Sequence, residues 1–591
     1  MTQQHDFFRD DGAHAAPTGA LAILALPLIA AALWYVKPAL GPWPLLLLGL
    51  AVGVRRAIGV MPRLRWVDGG LALFGASALL GAYLSYDQAA AWAKFWTMVG
   101  GLGLYVGAAW TPARIRFGRW QLDPLRLLLA FLPATLAIYF LLTNDWGRWA
   151  GKLPWLEPLT AWLASWQPQL PGHLLHPNVA GGLLAAFIPM QMAAVGRLRA
   201  GWLLVAVALS ALLLTESRGA WGALIVALAA WAWWTWPADR SRPLAAWRLG
   251  MAALLLLAAV AAALAWTPLG ASLAAAAAER LSLLHNSLDL ALDTPFTGSG
   301  LASFQMAFSS YVLLLHVGHT IHSHNLLLNI WIEQGLPGLL IFLGLLGLAV
   351  RPASSSRKRL VQAALAALIV IVVHGLVDDA FYGSRGVLLL FAPFALLTRA
   401  DAESQPASAE RRRLALRRGG IISAAALFLA LLPQTRAAFQ ANLGALSQTQ
   451  AELSVYRWPA WPIQDALRRA MPGATSQPPV NLTAALARYR RALTLDPHNV
   501  TANRRLGQIE LSLGNYDAAR DHLEAAYAAA PAQRATRQLL AESYAIEGDV
   551  ARARAILQTI DVSQGQVAAR VWWHQHLGES EQAQWMEEAG R

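Results

Sequence analysis

Long apolar stretches follow one another through most of this chain of 591 residues, and they limit its fold more than any other feature. Apolar side chains make up 56% of the sequence and charged side chains only 14%, against about 25% in a typical soluble domain. A backbone in lipid must satisfy its hydrogen bonds internally, so such stretches form helices. The sequence therefore predicts an all-α, polytopic membrane protein of about 12–14 transmembrane helices. We place the spans near residues 19–36, 41–54, 68–85, 92–110, 125–142, 178–196, 201–215, 219–236, 248–267, 325–350, 360–377, 385–399 and 418–434.

Basic residues lie in alternate loops between these stretches, for example at Arg55 and Arg56, at Arg197 and Arg199, and in the run 411–418. Loops rich in lysine and arginine stay in the cytoplasm. The pattern predicts a cytoplasmic N-terminus and an extracytoplasmic location for everything after residue 435. It also accounts for the net charge of +13 without a nucleic-acid partner. The absence of cysteine excludes disulfides, thiolate catalysis and cysteine-bound metals.

A polar, alanine-rich tail follows the last apolar stretch and repeats with a period of 34 residues. Ala485, Ala519 and Ala553 fall at equivalent positions. Small residues at fixed offsets let paired helices pack closely, and the pattern resembles the tetratricopeptide repeat. Such repeats usually bind protein partners, with a rigid spacer as the open alternative. We divide the chain into a membrane domain (1–434), a helical linker or cap (435–481) and an extracytoplasmic repeat domain (482–591).

A short polar string, His-Thr-Ile-His-Ser-His-Asn, interrupts the apolar sequence at residues 319–325. Ionisable groups at membrane level are costly and usually functional, so the string is the expected chemical site. A neutral histidine here could accept a proton or position a hydroxyl, because its pKa suits acid–base work near neutrality. Two alternatives stay open. The string could be a ligand run for a metal, with Glu333 as the one nearby carboxylate along the chain, or its histidines could only hydrogen-bond the loop.

His324 and Asn325 of this string are followed by nine residues, then Gly335, two residues and Gly338. This spacing resembles the ligase-type motif of the O-antigen ligase superfamily. That group of bacterial membrane glycosyltransferases includes O-antigen ligases, O-antigen polymerases and protein O-oligosaccharyltransferases. Leu284 departs from the pattern, since many members carry an aromatic residue there. Further segments that resemble the family, in order along the chain, are residues 176–180, 215–221 and 279–304.

The resemblance implies a GT-C-type enzyme of the bacterial inner membrane, with a long extracytoplasmic catalytic loop at residues 268–324. Its donor would be a glycan on a polyprenyl diphosphate, and its acceptor a hydroxyl of a lipid, a glycan or a protein at the outer face. His324 would activate the acceptor. Arg218 and Arg280 would bind the diphosphate, for which the planar guanidinium group is suited. One direct displacement would invert the anomeric carbon, without a metal or another cofactor.

Several polar residues are candidates for substrate binding beside these three. Asp378 and Asp379 follow an apolar span, where they could bind a sugar or form a solvated turn with Arg385. Others belong to the polar string or to the upstream segment that resembles the family. The full set is His176, Asn178, His319, His322, Asn325, Asp378 and Asp379.

Two functions of other classes compete with glycan transfer. A transporter of a charged or lipidic solute would also place polar groups at broken spans, although here these groups map to one side of the membrane. In an assembly scaffold, the repeat domain would carry the function and the membrane part would be an anchor. We expect deletion of residues 435–591 to abolish the function of a scaffold but to leave an enzyme with some transfer. Among the transferases, the complete histidine motif favours a ligase that moves a whole glycan, with a polymerase or a protein oligosaccharyltransferase as alternatives.

Overall fold

The computed structural model is helical in nearly all of the chain that it describes, which confirms the all-α prediction. His319 and the predicted span 248–267 lie outside the described residues, as does most of the predicted span 418–434. The described residues are 17–57, 65–111, 115–117, 120–146, 156–166, 175–196, 198–235, 268–313, 320–355, 358–401, 429–456, 463–470 and 480–591.

Apolar helices form the first part of the chain. A short antiparallel pair, β1 (Ile115–Phe117) and β2 (Trp120–Leu122), lies between the fourth and fifth of them. The helices are α1 (Pro17–Val36), α2 (Leu45–Ala57), α3 (Trp66–Leu84), α4 (Gln88–Trp110), α5 (Pro124–Thr143), α6 (Glu157–Trp166), α7 (Pro177–Val195), α8 (Gly201–Leu214) and α9 (Arg218–Thr235).

The segment predicted as a long outer loop, residues 268–324, contains two helices. A further difference concerns the predicted span 385–399, which is a 3-10 helix (Arg385–Leu389) followed by a short α-helix. The 3-10 helix packs against Gly101 of α4, where an added Cβ would lie only 2.8 Å from the Val387 carbonyl oxygen. The helices of this part are α10 (Pro268–Asp293), α11 (Phe304–Tyr311), α12 (Leu326–Ser355), α13 (Arg359–Gly375) and α14 (Ala392–Asp401).

Four helices of the described chain are long and apolar enough to cross a membrane by length and composition, which supports a membrane protein. They are α3, α5, α7 and residues Leu326–Ala349 of α12, while Leu21–Val36, α8 and α13 are shorter apolar helices. The most deeply buried of the four is α7, which packs against α5, α9 and α13. Small residues allow this close approach, and Gly182 of α7 lies against His374 of α13. The total of 12–14 spans and their orientation stay predictions.

The tail forms stacked helix pairs at the predicted period. Ala485, Ala519 and Ala553 are all buried where the paired helices meet. Gly514 and Gly548 have φ angles of 87° and 86°, in the left-handed region that follows a helix end. The helices are α15 (Pro433–Leu453), α16 (Thr483–Leu495), α17 (Val500–Leu513), α18 (Tyr516–Ala529), α19 (Arg534–Ile546), α20 (Val550–Leu557), α21 (Gln564–His576) and α22 (Ser580–Gly590).

Candidate active site

His324 forms a hydrogen bond with Asp378, a residue 54 positions later in the sequence. The distance between His324 Nδ1 and Asp378 Oδ1 is 2.8 Å. The side chain of Asp378 is 6% exposed, whereas that of His324 is 32% exposed. The pair therefore has a buried carboxylate behind an imidazole that faces outward. Burial alone would raise the pKa of Asp378, but the hydrogen bond from His324 and the neighbouring histidines hold this pKa well below its usual range.

The polar string is held in place at the start of α12 by Asn325 and Asn329. Asn325 caps the helix, because its Oδ1 accepts a hydrogen bond of 3.0 Å from the Leu328 N–H. The Oδ1 of Asn329 accepts hydrogen bonds from the Ser323 N–H at 2.8 Å and from the Ser323 hydroxyl at 2.7 Å. The Nδ2 of Asn329 donates to Asp379 Oδ2 at 2.5 Å. The two asparagines thus tie the string to its own helix and to the turn after α13.

The backbone of His324 adopts a conformation that side chains seldom take. Its φ angle is 52°, in the left-handed region that non-glycine residues rarely occupy and that clusters at functional sites. In this conformation the His324 N–H donates to Nδ1 of His322 at 3.3 Å, and the two rings meet edge to face with centroids 4.5 Å apart. Burial lowers the pKa of His322. His322 is therefore a neutral hydrogen-bond acceptor that supports the turn, while His324 carries the exposed ring.

The nine-residue spacing between Asn325 and Gly335 corresponds to the first turns of α12. At Gly335 the helix breaks, with a φ of 70° and a ψ of −175°. The segment before α11 docks at this break: the Leu336 N–H donates to the Pro295 carbonyl at 2.8 Å, and the Ser299 N–H to the Ile332 carbonyl at 2.7 Å. A left-handed φ and a close backbone neighbour both require glycine here. Gly298 packs against the same break, so it serves the packing of two backbone segments.

The two arginines expected to bind a diphosphate both lie next to Val377, the residue before Asp378. Arg280 is exposed on α10, and its Nη1 donates to the Val377 carbonyl at 3.3 Å. Arg218 is the exposed first residue of α9. Its neighbour Gly219 lies so near that an added Cβ would be 2.9 Å from Val377 Cγ2. One cation therefore contacts the turn that carries the carboxylate of the pair, and the other adjoins a residue that packs against this turn.

His176 and Asn178 lie at the start of α7. His176 caps this helix, since its Nδ1 accepts a hydrogen bond of 3.2 Å from the Asn178 N–H. Pro177, between them, lines a small cavity together with Glu216. These two candidates are thus near the turn that precedes Arg218. Arg385, expected beside the two aspartates, instead donates to the Tyr35 carbonyl at 3.1 Å.

The described part of the chain contains one group of side chains with the spacing of a metal site. It consists of His322, His324 and Asp378, whose ligand atoms lie within 4.8 Å of one another. The carboxylate is Asp378, whereas the sequence suggested Glu333. Two histidines and one carboxylate are a known ligand set for transition metals. In this geometry, however, His324 Nδ1 and Asp378 Oδ1 already satisfy each other directly.

The sequence did not predict an ion pair between α4 and α12. Lys94 Nζ of α4 lies 2.6 Å from Glu333 Oε2 of α12 and 4.0 Å from the ring centroid of Tyr382. The Tyr382 N–H in turn donates to Asp379 Oδ1 at 2.8 Å. A signal for this pair existed, because an ionisable residue inside an apolar span is rarely accidental. The pair links α4, α12 and the aspartate turn.

These helices and this site define a membrane protein with a histidine–carboxylate pair at a polar turn flanked by arginines. Residues 203–343 match the model of the O-antigen ligase family, and residues 481–525 and 510–572 match the model of the tetratricopeptide repeat. A comparison with curated proteins gives no match. The chain therefore carries an O-antigen ligase domain followed by tetratricopeptide repeats.

The O-antigen ligase match includes Arg218, Arg280 and the whole motif from His324 to Gly338, and it ends before Asp378. The family implies a glycan-transferring membrane enzyme that uses a lipid-linked glycan donor and an acceptor. Tetratricopeptide repeats suggest interaction with another protein.

Proposed function

We propose that this protein transfers a glycan from a polyprenyl diphosphate to an acceptor hydroxyl, with His324 as the general base. The observation that carries the proposal is the 2.8 Å hydrogen bond between His324 Nδ1 and Asp378 Oδ1. When Nδ1 carries the proton and donates a hydrogen bond to the Asp378 carboxylate, Nε2 is unprotonated and keeps its lone pair. The exposed ring then offers this lone pair to an incoming hydroxyl. The buried carboxylate fixes the tautomer and stabilises the imidazolium that forms, as in other histidine–aspartate pairs.

The leaving group of this reaction is a diphosphate, which requires fixed positive charge. Arg218 and Arg280 are both exposed, and Arg280 contacts the Val377 carbonyl, so their guanidinium groups are available to phosphate oxygens beside this turn. Arg218 also begins α9, where the helix dipole favours an anion. Charge that develops on the bridging oxygen as the bond to the sugar breaks is stabilised by these donors.

The transfer is a single displacement. The acceptor oxygen forms a bond with the anomeric carbon while the bond from that carbon to the diphosphate oxygen breaks. The acceptor proton passes to His324 Nε2, and the electron pair leaves with the polyprenyl diphosphate. The anomeric carbon is inverted, and the step needs neither a covalent glycosyl-enzyme nor a metal.

The other polar residues support this reaction in smaller roles. Asn325 and His322 hold the turn of His324, and Asp379 holds it through Asn329. The carboxylate of Asp379 and the residues His176 and Asn178 are candidates for sugar hydroxyls, and His319 stays a candidate from the sequence. The reaction takes place at the outer face of the bacterial inner membrane, with the N-terminus in the cytoplasm and the repeats outside.

The test uses the purified full-length protein in detergent, a labelled glycan on polyprenyl diphosphate, and an acceptor extract. We expect His324→Ala and Arg218→Ala to lower transfer by about 10²–10⁴-fold, the usual contribution of a general base or of charge stabilisation. His498→Ala and Arg552→Ala, both at exposed positions of the repeat domain, are matched controls that should keep full transfer.

Two results would overturn the proposal. Full transfer in both His324→Ala and Arg218→Ala would remove these residues from the reaction. Movement of the lipid-linked glycan across the bilayer of liposomes that contain the protein, without formation of a new glycosidic bond, would favour a transporter. The anomeric configuration of the product tests the inversion, and the labelled product identifies the acceptor as a lipid, a growing glycan or a protein.

A further inference from the structure

A cleft lies between the segment that leads into the polar string and the repeat domain. Ser309 and Ser310 of α11 line one side. Glutamine side chains from the linker and from three repeat helices line the other side. They are Gln464, Gln508, Gln538 and Gln566. Amides and hydroxyls, which are polar without a net charge, thus stand among apolar side chains such as Met306 and Leu539.

The charged residues at this cleft neutralise one another. Arg570 Nη1 lies 2.7 Å from Asp465 Oδ2, and its Nη2 contacts Glu542. Asp465 is also within 3.9 Å of Arg468. Because the charges are engaged within the protein, the cleft does not offer a free cation or anion to a strongly charged peptide.

Gln508 is the lining residue that most clearly lacks a partner. It is only 5% exposed, and within the described chain its side-chain amide makes no hydrogen bond. Its amide lines the cleft and is available to a ligand that supplies both a donor and an acceptor. Ser310 and Gln538 have further capacity, since each uses one side-chain atom in the hydrogen bonds that the structure shows.

We propose that this cleft is a saccharide-binding subsite, which holds sugars of the glycan at a distance from the reacting one. Side-chain amides present a donor and an acceptor side by side, and neighbouring sugar hydroxyls present the same pair. The occupant is therefore a neutral, hydroxyl-rich chain. This inference rests on the proposed function, because it assigns a site to a substrate of that reaction.

A helix that lines the cleft also packs against the helix that begins just after the catalytic histidine. α11 lines the cleft with Ser309 and Ser310, and it packs with Phe304 and Phe308 against Leu328 and Ile332 of α12. Leu328 is four residues after His324 and lies in the first turn of α12. One short helix is therefore shared by the wall of the cleft and the support of the catalytic string, which suits a substrate that reaches from one to the other.

The experiment compares two donors that have the same lipid and the same reacting sugar, one with a single repeat unit and one with a long glycan. For Gln508→Leu and for Gln538→Leu we expect a rise of roughly tenfold in KM for the long donor, as for the loss of one or two hydrogen bonds. The kcat and the parameters of the short donor should not change. Gln558→Leu, at an exposed position of the same domain, is the matched control. Equal effects on both donors, or no effect on either, would overturn the proposal.

A binding measurement separates this inference from the proposed reaction. The full-length His324→Ala variant is titrated with the free glycan, released from its lipid, with and without Gln508→Leu. Binding that Gln508→Leu weakens supports the subsite even if the wild type transfers nothing, in which case only the proposed function fails. The saccharide proposal would be wrong if the free glycan did not bind and the cleft variants changed only the KM for a protein acceptor. The cleft would then bind a protein partner.

Discussion

Asp293 joins the membrane domain to the repeat domain through a buried charge cluster. Its Oδ1 lies 2.8 Å from Arg504 Nη2, and its Oδ2 lies 2.5 Å from Arg505 Nη2. The side chains of Asp293, Arg504 and Arg505 are 2%, 1% and 9% exposed. The Arg504 guanidinium also stacks 4.3 Å from the ring centroid of Tyr311. One carboxylate at the end of α10 therefore compensates two buried cations of α17.

Replacement of Asp293 by alanine would leave both guanidinium groups buried without their carboxylate. Breaking a buried ion pair by removing one partner costs about 3–5 kcal/mol. This corresponds to a shift of roughly two to three and a half powers of ten in the equilibrium between the docked and undocked repeat domain. By contrast, Asp517 is 93% exposed beside Arg520, and the loss of such a surface pair costs about 0–1 kcal/mol.

The assay follows amide hydrogen exchange in residues 293–313 together with glycan transfer. We expect Asp293→Ala to increase exchange in this segment and to lower transfer, although Asp293 touches no substrate. Asp517→Ala is the matched control and should change neither. Wild-type exchange and wild-type transfer in Asp293→Ala would refute the reasoning, because the segment would then be held by other contacts.

The contact between Asp293 and the two arginines should weaken only in acid. Burial alone would raise the pKa of Asp293, but Arg504 and Arg505 outweigh it, so this pKa lies below its usual range. A carboxylate with a lowered pKa in the folded state contributes stability above the pKa of the unfolded chain, about 3.9, and loses it as the pH falls through the folded value. Docking should therefore be independent of pH between about 5 and 8, and it should weaken only in stronger acid.

Three further predictions concern the site itself. Asp378→Asn should lower kcat by about 10²–10⁴-fold with little change in KM, because the amide no longer fixes the proton on His324; unchanged kcat would separate the pair from the chemistry. Lys94→Met should lower the stability in thermal unfolding by about 3–5 kcal/mol, because it leaves the Glu333 carboxylate without its cation, and the double variant Lys94→Met with Glu333→Gln should recover most of that loss. Equal stability of the single and double variants would show that the unpaired carboxylate does not cause the loss. A chelator should leave transfer unchanged, whereas a loss that added metal restores would mean that His322, His324 and Asp378 bind a metal.

The sequence predicts the features of the site that depend on neighbouring residues. Asn325 caps α12 and Gly335 breaks it, so the nine-residue spacing between them reflects two positions of a single helix. The partner of His324 was not predictable in this way, because Asp378 comes from the end of another apolar helix 54 positions away. Two adjacent aspartates after a span look alike in a sequence, yet one orients the histidine and the other holds Asn329.

The fold shows the same division between local and distant information. Helices and the repeat period follow from hydrophobicity and from the spacing of small residues such as Ala519. Lys94 and Glu333 are 239 positions apart, and their pairing requires the packing of α4 beside α12. The position of residues 268–324 between apolar stretches predicts an outer loop, yet this segment contains α10 and α11, which gain their support from the repeat domain.

The contacts of that support form a continuous path from the repeats to His324. Asp293 is fixed by α17, and the backbone N–H groups of Phe296 and Thr297 both donate to Asn442 Oδ1 of α15, at 2.9 and 3.3 Å. The same segment docks at the break of α12 near Gly335, and the start of α12 carries His324. Deletion of residues 435–591 would remove both anchors at once, so transfer should be lost even though residues 1–434 include His324 and Asp378. This geometry thus predicts a loss of transfer where the sequence alone predicted some residual transfer, and point variants at His324 or Asp378 distinguish an enzyme from a scaffold more directly than the deletion does.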